Sequence, residues 1–331
     1  MPIELTDTVT GLGSGNARAS GSLAARMLQS GFNVNALRTN GTLRRDEWIQ
    51  YDTKVIEIAR SRLVGVADLF SAGLTYNLPN ALGKTRLEWE RIGDMDAAEI
   101  TMSGISESQN DRVIYDLQGM PIPIIHKDFN INVRALEASR TTGAPLDTTQ
   151  AGLAGRKVAE TIETMLFRGA TVLGSLNPIY GYTTAPNRNT GTVTANWASA
   201  TGDQIIADQL AIVDKLVADN MYGPYVVYLP ANAYVHFGAD FKTSSDKTIM
   251  QRFMENPLIS AVKMTKDLSN GEVLFVQMSS DTVDMVNGIS PTTVEWESHA
   301  GFIMHFKVLA IMIPRVRNDM MLQSGICHYT L

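Results

Sequence analysis

Hydrophobic and polar positions change period several times along the chain, and the changes mark its parts. From Asp46 to about Phe70, Trp48, Ile49, Val55, Ile56, Ile58, Leu63, Val66 and Leu69 recur at three- and four-residue spacing. That spacing predicts an amphipathic helix, with Asp46 as its cap and Gly73 as its stop. In TRLEWERI, Leu87, Trp89 and Arg91 alternate with Arg86, Glu88 and Glu90; after the polar run SGISESQNDR, Val113, Tyr115 and Leu117 alternate with Arg112, Ile114 and Asp116. Two period-two runs around a Gly/Ser/Asn/Asp tip predict a long hairpin over 85–117. Its charge on both faces suits a projecting arm that needs something to lie on.

The extended apolar run PIPIIHKDFNINVRALEAS leads into a turn at Gly143 and Pro145, then into a long helix over 147–169. Asp147 or Thr148 can cap that helix and Gly169 can end it. Ala151, Ala154, Val158, Ile162, Met165 and Leu166 form its apolar stripe, and Arg156 and Glu160 lie one turn apart. At 1.5 Å per residue it spans roughly 33 Å. Residues 170–200 read as loop-rich. A helix at DQIIADQLAIVDKLVADN (with Asp203 as cap), a strand at YVVYL, a short helix opened by Pro230, another at KTIMQRFMEN and a strand at EVLFVQM predict an α/β unit over 201–288. Strands return in TTVEWES, FIMHFKVLAIMIPRV and GICHYTL. Residues 1–45 are rich in Gly, Ser, Thr and Asn and bury too little to order themselves alone.

Composition narrows the function classes. The 331 residues carry a net charge of −6 and 19% charged residues, which argues against a general nucleic-acid binder. Few charges together with 16 methionines fit either a large core or apolar surface hidden against partners. The lone Cys327 rules out an intrachain disulfide framework and reads as a buried structural thiol. No signal peptide is expected. The most apolar segment, 302–314, is interrupted by His305 and Lys307 and is too short to span a bilayer.

Candidate chemistry is thin. GLGSGN (11–16) has its third glycine one residue early for a dinucleotide loop and follows a poor strand, so it reads as arm. SSDK (244–247) fits a serine–lysine motif but lacks its companions. The five histidines show no helical metal spacing; His126 and Asp128, two apart on a strand, suit a surface contact. Asp94, Asp96 and Glu99 lack the calcium-loop signature and are better placed to meet arginines. No catalytic, metal or cofactor site is therefore assigned, and no enzyme activity is expected.

An arm, a charged hairpin, a strut helix and an α/β lobe in this order resemble the HK97-fold major capsid proteins of tailed phages and their relatives, the encapsulin shell proteins. DEWIQYDTKVIEIARSRLVGVADLF is similar to the N-terminal helix of the encapsulin-like branch. MPIPIIHKDFNINVRALEASRTTGAPLDTTQAGLAGRKVAETIETMLFRG is similar to its segment running into the spine helix, and IMIPRVRNDMMLQSGICHYTL to the closing strands of phage members. The resemblance implies an α+β capsid fold: an N-terminal arm (1–45), an N-terminal helix and connection (46–84), an extended loop (85–117) over an adjacent subunit, a peripheral domain (118–200) with the spine helix, an axial domain (201–288), and closing strands of the peripheral domain (289–331). It further implies hexamers and pentamers of the chain itself closing into an icosahedral virion capsid, assembled in the host cytoplasm around double-stranded DNA held without sequence preference. A portal, a scaffolding protein and a decoration or cementing protein are the further partners it suggests, with no membrane partner. Intersubunit contacts are expected from Arg86, Glu88, Arg91, Asp94, Asp96 and Arg112, with Trp89 as apolar anchor. The interval 85–117 has no lysine, Lys84 lying at its base, so the lysine–asparagine crosslink of some members is not expected. The alternatives are an encapsulin-type nanocompartment shell and, more remotely, a hydrolase built on Ser245 and His236.

Overall fold

The computed structural model describes residues 53, 55–57, 63–93, 98, 100, 102, 113–134, 137–138, 148–172, 178–242, 246–299 and 302–331. Among the described residues the helices of six residues or more are, in chain order, α1 (Gly65–Ser71), α2 (Thr149–Arg168), α3 (Gly202–Ala218), α4 (Ala231–His236) and α5 (Ile249–Met254). The strands are β1 (Thr75–Asn77), β2 (Arg86–Ile92), β3 (Tyr115–Pro121), β4 (Ile125–Asn132), β5 (Ala170–Thr171), β6 (Pro178–Ile179), β7 (Asn189–Thr192), β8 (Tyr225–Pro230), β9 (Ile259–Thr265), β10 (Val273–Gln277), β11 (Val283–Ser298), β12 (Ile303–Val316) and β13 (Ile326–Thr330).

Helix α2 has twenty residues and is therefore about 30 Å long. Small residues fill the first half of its buried stripe (Ala151, Gly152, Ala154, Gly155) and larger ones the second (Ile162, Met165, Leu166, Phe167). Its small end lets other backbone come close, while its large end fills the core. Arg156 Nε donates to Glu160 Oε1 at 2.8 Å on the outer side. The helix stops at Gly169, whose φ of 74° suits glycine and whose neighbour, the carbonyl oxygen of Ile179, lies 2.4 Å from where a Cβ would stand.

Two sheets meet around this helix. One has the order β1-β11-β12-β4 and the other β7-β13-β10-β8-β9. A single apolar cluster takes side chains from α1, α2 and both sheets, including Leu69, Ile162, Phe167, Tyr228, Leu274, Met285 and Phe306. A second cluster lies under α3 on the other side of the five-stranded sheet, centred on Trp197, Phe237, Phe253 and Phe275. Strand β8 is buried along its whole length, as a central strand covered on both faces should be. Arg168 ties the end of α2 to the β9–β10 connection: it bonds the Asp267 carbonyl at 2.7 Å and the Glu272 carboxylate at 2.5 Å.

Several local expectations shift. Helix α1 is preceded by non-helical Leu63 and Val64, so the pattern over 46–70 does not run as one helix to its end. The break has a cause: the Glu163 carboxyl group of α2 accepts from the amides of Val64, Gly65 and Val66 at 3.1, 2.6 and 3.3 Å and starts the helix afresh. Helix α3 is capped by Thr201 rather than Asp203, in a reciprocal capping box with Gln204, while Asp203 pairs with Lys242 at 3.0 Å. Strand β11 begins at Val283, because register shifts between Asn287 and Thr292 carry it past Gly288 and Pro291. The closing strands do not stay together: β12 pairs with β11, whereas β13 pairs with β10 and β7 in the other sheet. Residues 1–45, the Asp46 cap and the Asp147 cap lie outside the described residues.

Candidate functional site

Strands β2 and β3 form a two-stranded antiparallel sheet with Leu87 opposite Met120, Trp89 opposite Gln118 and Arg91 opposite Asp116. Directly opposed residues share a face, so the pair has one side turned to its own chain and one turned outward. The inner side is anchored. Leu87 and Met120 are buried, and Trp89 is half-buried with the Arg315 guanidinium 5.9 Å from its ring centre. Arg91 Nη2 donates to Asp116 Oδ2 at 2.7 Å and its Nη1 to Asn318 Oδ1 at 3.4 Å; Gln118 Nε2 donates to the same Asp116 oxygen at 2.6 Å. Arg315 in turn is buried against Asp284 and lies 5.0 Å from the ring centre of Tyr76.

The outer side mixes charge with exposed apolar surface. Arg86 and Glu88 face solvent 3.3 Å apart. Tyr115 and Leu117 stand on the same side, 61% and 62% exposed, and the adjacent Ile114 is 63% exposed. A strand that presents large apolar side chains to water beside an ion pair has the chemistry of an interface, apolar at its centre and charged at its rim.

The seven residues singled out from the sequence thus separate. Arg86 and Glu88 lie on the outer face; Trp89 and Arg91 are engaged with their own chain through Arg315, Asp116 and Asn318. Asp94, Asp96 and Arg112 lie outside the described residues, as does Glu99. Tyr115 and Leu117 were visible in the sequence as an alternating stripe, but their exposure depends on which side of β3 meets the core, and periodicity alone leaves that open.

No alternative chemistry gathers elsewhere among the described residues. His126 Nδ1 lies 3.4 Å from Asp128 Oδ1, a contact between two exposed side chains, with Lys307 3.6 Å from the same aspartate. His236 Nε2 is occupied by the Ala200 carbonyl oxygen at 2.8 Å, and its supposed partner Ser245 lies outside the described residues, together with Ser244 and the glycines of 11–16. Among the described residues no group of three His, Cys, Asp or Glu side chains is placed to hold a metal ion. No described helix is long and apolar enough to cross a membrane. A groove of about 420 Å³ runs beside α2, lined by Pro123, Ile125, Met165 and Val172 with Lys157 and Lys266 among its walls. Both lysines, with Arg156, reach Glu160, and the hydrogen bonds from Arg156 and Lys157 hold its carboxyl down at about 2.

The sequence matches a family of unknown function (DUF6260) over residues 35–329. The chain belongs to that family. Among solved structures, this family member resembles a virus-like particle from Pyrococcus furiosus, with a TM-score of 0.58 at 13% identity over 84% of this chain and 96% of that one. It also resembles the capsid of Myoviridae phage XM1, with a TM-score of 0.60 at 10% identity over 75% and 86%. Its fold is the HK97-like capsid fold. Two named relatives are shell proteins. The type 1 encapsulin shell protein EncA of Myxococcus xanthus (strain DK1622) is 30% identical over 196 residues, 58% of this chain and 62% of EncA. The diheme-cytochrome-encapsulin shell fusion protein of Kuenenia stuttgartiensis is 23% identical over 279 residues, 83% of this chain and 71% of the fusion. The match therefore spans less than two thirds of EncA.

Proposed function

We propose that this family member is a structural shell subunit, a major capsid protein whose copies close into an icosahedral container around the double-stranded DNA of a tailed phage. The observation that carries the reading is the joining of a capsid fold to an unpartnered outer face on the β2–β3 pair. A single chain gains nothing from holding Tyr115 and Leu117 in water; a copy placed over that face removes them from it, with roughly 25 cal/mol gained per Å² covered. In this reading residues 85–117 lie over an adjacent subunit, α2 braces a peripheral domain, and residues 201–288 gather near the centres of hexamers and pentamers. Arg86, Glu88, Tyr115 and Leu117 are the contact candidates on the outer face. Trp89 and Arg91 contribute by fixing the pair's base, and Asp94, Asp96 and Arg112 remain candidates further out. Portal, scaffolding and decoration proteins belong to the same reading.

The 30% identity to EncA favours a second reading, an encapsulin-type nanocompartment around a protein cargo. Both readings make the chain a wall whose contacts are its function, with no catalytic role. Their contents tell them apart. Particles from the native source, treated with nuclease and then opened, yield long protected double-stranded DNA if the phage reading holds. A stoichiometric protein cargo without such DNA would transfer the chain to the nanocompartment class.

A further inference from the structure

We propose that Glu163 makes the junction between α1 and α2 a proton-tightened clasp, closed when its carboxyl carries a proton and loosened when that proton is lost. The clasp belongs to the single chain and does not depend on what a shell encloses.

The geometry is that of a carboxyl enclosed without a cation. Glu163 is 2% exposed within the apolar cluster between α1, α2 and both sheets. Among the described residues its hydrogen bonds come from three successive amides, Val64, Gly65 and Val66, which it holds against α2. Approach is close there: a Cβ on Gly65 would stand 3.0 Å from both Leu166 and Phe167 side chains. The titratable groups around it do not neutralise it. Asp68 on α1 is taken by Lys263 of β9 and by the Tyr228 hydroxyl of β8 at 2.8 Å. Tyr182, packed edge-on to Phe167, brings a buried hydroxyl that has no partner among the described residues. Asp267, beyond β9, adds negative charge and is itself bonded by Thr164 at 2.7 Å. Strand β12 presents Met304, Phe306 and Val308 to this cluster, β11 turns Thr293 and the buried Glu295 to the same side, opposite Val308 and Phe306, and β4 adds the exposed Lys127 opposite Val308. No lysine, arginine or histidine forms an ion pair with Glu163 among the described residues.

Burial therefore outweighs the three amides, and the Glu163 carboxyl is pushed up from 4.5 to about 7. The sign follows from linkage. A carboxyl whose value is raised in the closed state favours that state fully below the open-state value, and this contribution is lost as pH rises from 4.5 through 7. Acid tightens the junction and alkali loosens it, the reverse of a carboxylate held by a salt bridge. From a value of 4.5 when open and about 7 when closed, the opening equilibrium rises about 30-fold between pH 5.5 and pH 8.

Hydrogen exchange on the full-length chain tests this, read on peptides covering residues 63–72 and corrected for the intrinsic pH dependence of exchange. The expected result is a loss of protection of about 30-fold from pH 5.5 to 8 in the native chain, and a flat profile in Glu163→Gln. A native profile that stays level or gains protection with pH overturns the proposal, as does a Glu163→Gln profile that follows the native one. Should that variant fail to fold, the native profile still decides, together with infrared spectroscopy of the native protein. The carbonyl stretch of a buried protonated carboxyl should be present at pH 6 and gone by pH 8.5, and its absence at pH 6 would also overturn the clasp.

Discussion

Replacing Asp284 by Ala removes the counter-charge from a cation that has nowhere to go. Asp284 and Arg315 are opposed across β11 and β12, with side chains 8% and 6% exposed. Arg315 Nε donates to Asp284 Oδ1 at 2.9 Å and its Nη2 to Oδ2, while Arg317 Nη2 reaches Oδ2 at 2.9 Å. The Arg315 guanidinium is closed in further by the rings of Tyr76 and Trp89, so water cannot replace the lost carboxylate. Leaving one member of such a pair buried alone costs about 3–5 kcal/mol. Arg315→Met costs less, since Asp284 keeps Arg317, which is 34% exposed and can follow it. The double variant Asp284→Leu/Arg315→Met buries no charge at that position and should recover most of the loss. Urea unfolding of unassembled subunits, followed by tryptophan fluorescence, measures all three, with Trp89 reporting from beside the pair. A loss under about 1 kcal/mol for Asp284→Ala, or a double variant as weak as that single one, would refute the reasoning.

Three further outcomes can be checked. Trp197→Ala removes a fully buried ring packed tilted against Phe237 and edge-on to Phe253 and an indole N–H donated to Asp208 at 2.9 Å; it should lower subunit stability by about 3–5 kcal/mol in the same denaturation assay. Burial pushes the Cys327 thiol up to about 12, so native subunits should resist an aromatic disulfide reagent at pH 8 and react with it once unfolded. Glu88→Arg, on the exposed face beside Arg86, should change subunit stability by under about 1 kcal/mol yet alter the yield of large assemblies measured by light scattering.

Much of the fold was legible because its largest elements carry strong periodic patterns. The stripe Ala151 to Leu166 gives α2 within two residues at either end, and Gly169 marks the stop that its φ of 74° requires. The alternation around Leu87 and Trp89 gives β2, and Arg156 with Glu160 forms the expected contact. What escaped depends on partners distant in sequence. Glu163 reads as a charge on the outer side of a helix; only the folded chain shows it holding the amides of residues 64–66, nearly a hundred positions away. The destination of β13 is likewise invisible locally, because GICHYTL has the same apolar pattern whichever sheet receives it. The candidate face was half legible. Arg86 and Glu88 were visible as charges on an alternating strand, whereas the exposure of Tyr115 and Leu117 follows from Leu87 and Met120 turning the other side of the pair into the core.

The central claim is that this chain performs its function by joining copies of itself into a closed wall. Electron cryo-microscopy of the purified full-length protein across a range of salt concentrations tests it most directly. Closed icosahedral shells, with Arg86, Glu88, Tyr115 and Leu117 covered by a neighbouring subunit, are the predicted result. Discrete small oligomers under every condition, or shells in which that face stays bare, would contradict it.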